Sequence, residues 1–256
     1  GYFNLLPGEK FLDAQQSPRN CNWFLITLGC RRGLTFLEQQ PGVDGKRLGI
    51  RGHSMGGNLT MYVAGSDPRV KVASPSVGGS GFRTYSRYGL PPQIRKVKGD
   101  LELFRRTMGY QFYAPRISAP LLHLGASNDF HGQMDATYAT GAKVKKTVPQ
   151  RFVFAPHFNH RFYPEQQVAR ILWLDQHLKG EVKLPETPAS ELKLRPIPML
   201  RVTPSKGLPV NRVDIYYSID PDSRARFWLG DAQPTILFLG VRRKRNFASE
   251  SMDRIC

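Results

Sequence analysis

Residues 46–67 read KRLGIRGHSMGGNLTMYVAGSD and contain the change of texture from which the fold is argued. KRLGIR (46–51) has the brevity and apolar content of a strand, entered from a turn at Gly42 and the Asp44–Gly45 pair. NLTMYVAGSD (58–67) continues as a helix. Between them Gly52, His53, Ser54, Met55 and Gly56 fit G-x-S-x-G, directly after a strand and directly before a helix. In that context the serine must turn sharply on a strained backbone, and glycines two positions to either side let strand and helix approach. The turn also puts the Met55 N–H at a helix N-terminus, where it can stabilise an oxyanion, and Gly57 keeps the helix start uncluttered. Ser54 is therefore the candidate nucleophile. The bland alternative is a glycine-rich strand-to-helix turn with an incidental serine.

Working outward, residues 20–39 place apolar side chains around most of a helical wheel and predict a buried helix. VKVASPSVG (70–78) predicts the next strand. Residues 81–117 interrupt the rhythm: PPQIRK is an irregular lead-in and 99–113 looks helical, which fits a crossover helix with a long loop or a cap over a pocket. Strands follow at 119–127 and 151–156, and helices near 133–146 and at 164–180, the last closed by Gly180. Alternation of helix and strand predicts a parallel sheet with crossover helices, an α/β fold.

A serine hydroxyl needs an adjacent base, and the base a group to orient it. Asp129 is the candidate acid, because LLHLGASNDF is a strand running into a polar loop; Asp135 is the competitor, further on and expected inside the next helix. The strand RFVFAP empties into His157, Phe158, Asn159 and His160. His160 is the favoured base, a few residues beyond the strand end, with His157 the alternative. A metal reading of Asp129, His131, His157 and His160 is weak, since H-x-x-H in a loop lacks the H-E-x-x-H helix spacing. His53 is expected to be a packing or pocket residue; His123, in a strand, and His177, in a helix, are expected to be structural.

The chain has 256 residues and a formal net charge of +17, from 37 Lys and Arg against 20 Asp and Glu. The excess invites a nucleic-acid reading. Its basic residues, however, are scattered singly or in pairs, apart from Arg242, Arg243, Lys244 and Arg245, and no zinc-finger spacing or RNA-recognition signature accompanies them. No nucleic-acid partner is expected; attraction to acidic polymers or anionic surfaces is the milder implication. No apolar run approaches the ~20 residues that span a bilayer. Cys21, Cys30 and Cys256 have neither disulfide-framework nor metal-site spacing and read as free structural thiols.

RGHSMGG, LLHLGASNDFHG and FAPHFNHRF carry a resemblance over about residues 20–180 to the α/β-hydrolases, in particular the dienelactone-hydrolase-like, acetylxylan-esterase-like and prolyl-oligopeptidase-like branch. The resemblance implies a partial doubly wound parallel sheet with flanking helices, and Ser54, Asp129 and His160 as nucleophile, acid and base. It implies ester cleavage, or in some members peptide cleavage, with no cofactor and no metal, on a small-molecule or carbohydrate ester. Only 53 residues precede Ser54, without the upstream HGGG-like oxyanion loop of that branch. The second oxyanion donor is thus unassigned, and the chain is expected to be a fragment lacking its N-terminal strands, with at most a remnant of them in Gly1 to Gln16. A catalytically silent, binding fragment is the alternative from a different class. The compartment is left open.

From 181 the texture changes. Residues 181–198 are proline-rich and read as a linker, and MLRVTPS, NRVDIYYSID and RARFWLG have strand alternation, predicting a small, incomplete β-rich module over 181–256 after a hydrolase domain over 1–180. The tail from Pro234 neither continues that pattern nor resembles a linker, and reads as a frame-shifted or mis-assembled end.

Overall fold

Four parallel strands in sequential order organise the molecule: β1 (Leu48–His53), β2 (Val70–Ser76), β3 (Leu121–Ala126) and β4 (Gln150–Ala155). They belong to a computed structural model that describes residues 17, 19, 21–80, 99–129, 131–156, 158–205, 213–217 and 237–241. Because successive strands always step the same way and crossovers are right-handed, the connections fall on one face of the sheet. That face carries α1 (Asn22–Glu38), α2 (Met55–Ala64), α3 (Leu101–Met108) and α4 (Met134–Gly141). After β4 the chain turns back, and α5 (Pro164–Leu178) covers the opposite face, packing Trp173 against Val72, Leu122 and Leu124. The arrangement is an α/β-hydrolase fold with helices on both faces of a parallel sheet.

Each helix has a local cause and a boundary. α2 follows the turn at Ser54 and is buried on nearly all sides, from Gly57 through Ala64. α1 departs from the expected buried helix. Asn22, Trp23, Thr27 and Leu34 are buried, whereas Leu25, Leu28, Phe36 and Leu37 are exposed; its apolar wheel is wider than the stripe that α2 covers. At its end, Arg69 clamps the turn before β2, donating to Asp67 at 2.7 Å and Glu38 at 2.5 Å. Its guanidinium holds the Asp67 carboxyl at a pKa of about 2.

α3 begins on Asp100, whose carboxylate accepts from the Leu103 N–H at 2.9 Å, an N-cap bond. The helix expected over 99–113 ends at Gly109 and continues as 3-10 turns at Tyr110–Phe112 and Ala114–Arg116. Phe104 and Met108 enter the core, and the Tyr62 hydroxyl donates to the Met108 carbonyl. The described part of 81–117 therefore packs as a crossover helix; residues 81–98, with the PPQIRK lead-in, lie outside the described residues.

This first unit runs through Leu184, which packs against the α5 face and whose N–H donates to Gln176 Oε1 at 2.6 Å. A second unit begins at Pro185. There β5 (Ala189–Lys193) pairs antiparallel with β6 (Met199–Thr203), so part of the stretch expected to be linker is strand. β7 (Val213–Tyr217) pairs antiparallel with β8 (Leu237–Val241). The tail beyond Pro234 thus contributes a strand, contrary to the reading that it leaves the β pattern. Gly1 to Gln16, the RARFWLG segment and residues 242–256 lie outside the described residues.

Candidate active site

Ser54 sits between β1 and α2 with φ 56° and ψ −117°, a left-handed conformation that a residue with a Cβ adopts only when its surroundings force it. Those surroundings are close backbone contacts. The Ser54 N–H donates to the Ser76 carbonyl at 2.9 Å and the Ser54 carbonyl accepts from the Asn58 N–H at 3.1 Å. A Cβ on Gly52 would fall on the Gly56 carbonyl, one on Gly57 on the Ser76 carbonyl, and one on Gly78 within 2.6 Å of both Ser54 O and Asn58 N. Gly56 itself faces open space, so the second glycine of the motif is not sterically required, whereas Gly57 and Gly78 are. Met55 opens α2, and its N–H is one of the helix-start donors that lack an intrahelical acceptor.

His160 and Asp129 reach Ser54 from the loops after β4 and β3. His160 Nε2 lies 2.7 Å from Ser54 Oγ, and its Nδ1 lies 3.0 Å from each oxygen of Asp129. Asp129 is completely buried, and its Oδ1 accepts from the backbone N–H groups of His131 and Gly132 at 2.7 Å each. A carboxylate accepting from both N–H groups and the ring keeps the proton on Nδ1, leaving Nε2 to accept from Ser54. Asp135 is instead in the first turn of α4. His157 lies outside the described residues.

Two asparagines given no role by the sequence hold the loops together. The Asn159 N–H donates to Asn128 Oδ1 at 2.6 Å, and Asn159 adopts φ 56°, which aims the next residue, His160, at Ser54. Asparagine tolerates that region better than most residues, a signal available from its place one residue before the candidate base. Val77, also at positive φ (46°), is a β-branched residue in a strained conformation, and a Cβ on Gly132 would fall 2.6 Å from its carbonyl. The loop after β2 and the loop bearing Asp129 therefore meet backbone to backbone.

Three further histidines surround or underlie the site. His53 Nδ1 is 3.1 Å from Ser76 Oγ and its ring centre 5.5 Å from that of His160; partial burial and the His160 charge draw its pKa below the ordinary value. The His131 ring meets His160 edge-on at 5.3 Å. His123 is fully buried, stacked on Phe152 with ring centres 4.6 Å apart; burial pushes its pKa down to about 4. His177 packs edge-on against Trp173. Among the described residues no three His, Cys, Asp or Glu side chains converge as metal ligands, and no helix is long and apolar enough to cross a membrane. Cys21 is buried and Cys30 half-buried; Cys256 lies outside the described residues. A cleft of about 460 Å³ lies away from Ser54, lined by Phe24, Met108, Tyr113 and Arg116 among others.

The model of the dienelactone hydrolase family matches residues 26–172, which include the elbow and both loops. The chain belongs to the dienelactone hydrolase family. This family member is 26% identical over 161 residues to the acetyl esterase Axe7A of Xylanibacter ruminicola, a match covering 60% of this chain and 36% of that protein. The chain thus spans about a third of the length of that curated relative. Among solved structures, an acetyl xylan esterase from Paenibacillus sp. R4 superimposes with TM-score 0.52 at 22% identity, over 63% of this chain and 55% of that one. Acetyl xylan esterase 1 from Thermoanaerobacterium sp. JW/SL YS485 gives 0.53 at 17% identity, over 66% and 57%. The acylaminoacyl peptidase of Pyrococcus horikoshii gives 0.53 at 22%, over 68% and 30%. At these identities the family member shares the fold of the three structures.

Proposed function

We propose that this protein is a serine hydrolase that cleaves carboxylic esters through an acyl-enzyme. The observation that carries the reading is the continuous chain from Asp129 through His160 to Ser54, with 2.7 Å between His160 Nε2 and Ser54 Oγ. Ser54 Oγ attacks the ester carbonyl while His160 Nε2 takes its proton. The developing oxyanion is stabilised by the Met55 N–H at the start of α2, a donor worth about 3 kcal/mol by analogy with other oxyanion holes. His160 then protonates the departing alcohol oxygen. Water, deprotonated by the same nitrogen, attacks the acyl-enzyme and releases the acid. Asp129 holds the imidazole in the tautomer that both halves require and offsets its charge when it is protonated.

An acetyl group is the acyl substituent we favour, because the curated relative is named an acetyl esterase; a small-molecule or carbohydrate alcohol is the corresponding leaving group. The chemistry is assigned wholly to the first unit, and the β-rich unit is left without a catalytic role. The test is labelling with a fluorophosphonate probe, read by intact mass, beside turnover of 4-nitrophenyl acetate. One probe per chain and an acetyl-ester turnover, both absent in Ser54→Ala, are expected. A folded protein that neither labels nor turns over would overturn the reading.

A further inference from the structure

α5 presents an unusual stripe to the sheet. Gln166, Arg170 and Trp173, spaced i, i+4 and i+7, are its buried residues, while Val168 and Ile171 are 57% and 54% exposed. Polar side chains on a buried stripe need partners. Gln166 has them, its amide donating to the Gly125 and Val153 carbonyls at 2.7 and 2.9 Å. Arg170 does not. It is 6% exposed, and its Nε and Nη2 are buried without an acceptor among the described residues. Its close neighbour is the face of Phe162, with the guanidinium carbon 4.1 Å from the ring centre.

A second cation approaches from the sheet. Gly49, Arg51 and His53 alternate onto the α5 side of β1, the side on which a Cβ at Gly49 would meet Leu174 and Leu178. Burial first, and then the Arg51 charge, draw the Arg170 pKa down to about 10, which leaves it charged at neutral pH. Two guanidinium groups thus face one region, and the buried one lacks a counter-charge among the described residues. A buried charge left unpaired is among the costliest arrangements in a folded protein. The place is also next to the proposed chemistry: Phe162 meets His53 edge-on at 6.1 Å, and His53 flanks His160.

We propose that Arg170 and Arg51 form a carboxylate-binding site between α5 and β1, on the flank of the Ser54–His160 pair. The planar fork of Arg170 supplies two parallel N–H donors for the two carboxylate oxygens, and Arg51, exposed on β1, supplies the second positive charge at the entrance. The carboxylate has two sources with the same chemistry. It is a free short-chain acid, the product class of the ester cleavage proposed above and resting on that reading, or an acid group carried by the substrate. Binding itself does not depend on catalysis, so failure of one reading is distinguishable from failure of the other.

Thermal unfolding in sodium acetate against sodium chloride at equal ionic strength decides the binding. In the unaltered protein acetate at about a hundred times its dissociation constant is expected to raise the midpoint by about 5 °C. Arg170→Met should show no rise, and in chloride should melt no lower than the parent. Arg170→Lys keeps charge and volume, loses the fork, and should show a smaller rise; it serves if the methionine variant does not fold. Turnover of 4-nitrophenyl acetate and of mono-4-nitrophenyl succinate then separates the sources. A KM raised about tenfold by Arg170→Met for the succinate alone assigns the carboxylate to the substrate. Equal effects on both esters, with the acetate rise present in the parent and lost in Arg170→Met, assign it to the free acid. Equal acetate responses in parent and both variants, with no difference between the esters, would overturn the site.

Discussion

The turn at Ser54 and the β5–β6 hairpin are both short backbone reversals of chain, yet they are held in opposite ways. At Ser54 three glycines, Gly52 in β1, Gly57 in α2 and Gly78 just after β2, meet backbone with no room for a Cβ, and the serine itself takes a positive φ. In the hairpin five antiparallel pairs run from Ala189–Thr203 to Lys193–Met199, and every residue of both strands is exposed, Leu192, Leu200 and Val202 included. One region is determined by what cannot be added; the other is determined by main-chain pairing, with side chains free to change. Function that depends on tenths of an ångström belongs on the first kind of scaffold.

That contrast can be broken most sharply at Ser54, the proposed nucleophile. Ser54→Ala is expected to lower ester turnover by about 10⁶-fold while leaving the melting midpoint within a few degrees. A residual rate near that of the parent would remove Ser54 from the chemistry. Asp129→Asn leaves the geometry and changes the tautomer, so a loss of about 10⁴-fold in kcat is expected, with KM nearly unchanged.

Packing comes next. Gly57→Ala forces a Cβ into the Ser76 carbonyl, and a loss of about 3 kcal/mol or more in denaturant unfolding is expected. Gly56→Ala, one residue earlier and facing open space in a helix, is expected to stabilise by about 0.5 kcal/mol through helix propensity. If both cost the same, the tight-turn account of the elbow is wrong.

A pH scan tests the buried floor beneath the site. His123 has a folded pKa of about 4, lowered by burial from an ordinary value near 6.5. Its contribution is therefore fully present above pH 6.5 and is lost as pH falls toward 4, amounting to about 3 kcal/mol by linkage. His123→Phe, which can keep the stack on Phe152, should flatten urea-unfolding stability between those pH values. In the hairpin, Leu192→Ala is expected to change stability by less than about 0.5 kcal/mol, since the side chain is exposed.

What could be read in the sequence follows the same division. The strand-turn-helix at Ser54 was legible, as was the convergence of Ser54, Asp129 and His160 from three loops, because the proposed chemistry would restrict residue type at each place. The four sheet strands were legible from short apolar runs between turn residues. The close backbone contact that requires Gly57 and Gly78 was not, because it joins segments about twenty residues apart. Nor was the inward face of α5: the helix expected at 164–180 had no side assigned to the core, and the tertiary contacts turn Gln166 and Arg170 inward. The exposed apolar side of α1 escaped for a like reason, since a wheel that is apolar on most sides does not say which side is covered.

The sequential strand order has a consequence for how the protein is made. A sheet that adds each strand beside the one before it can grow in the direction of synthesis, with β1 and α2 emerging before the other three strands and the loop bearing His160 after them. Ser54 is then seated in its turn as soon as β2 pairs with β1, while the imidazole that would deprotonate it is still inside the ribosome. A nascent chain halted before β4 should hold a folded elbow and an inert serine, so that reactivity arrives only when the first unit is nearly complete.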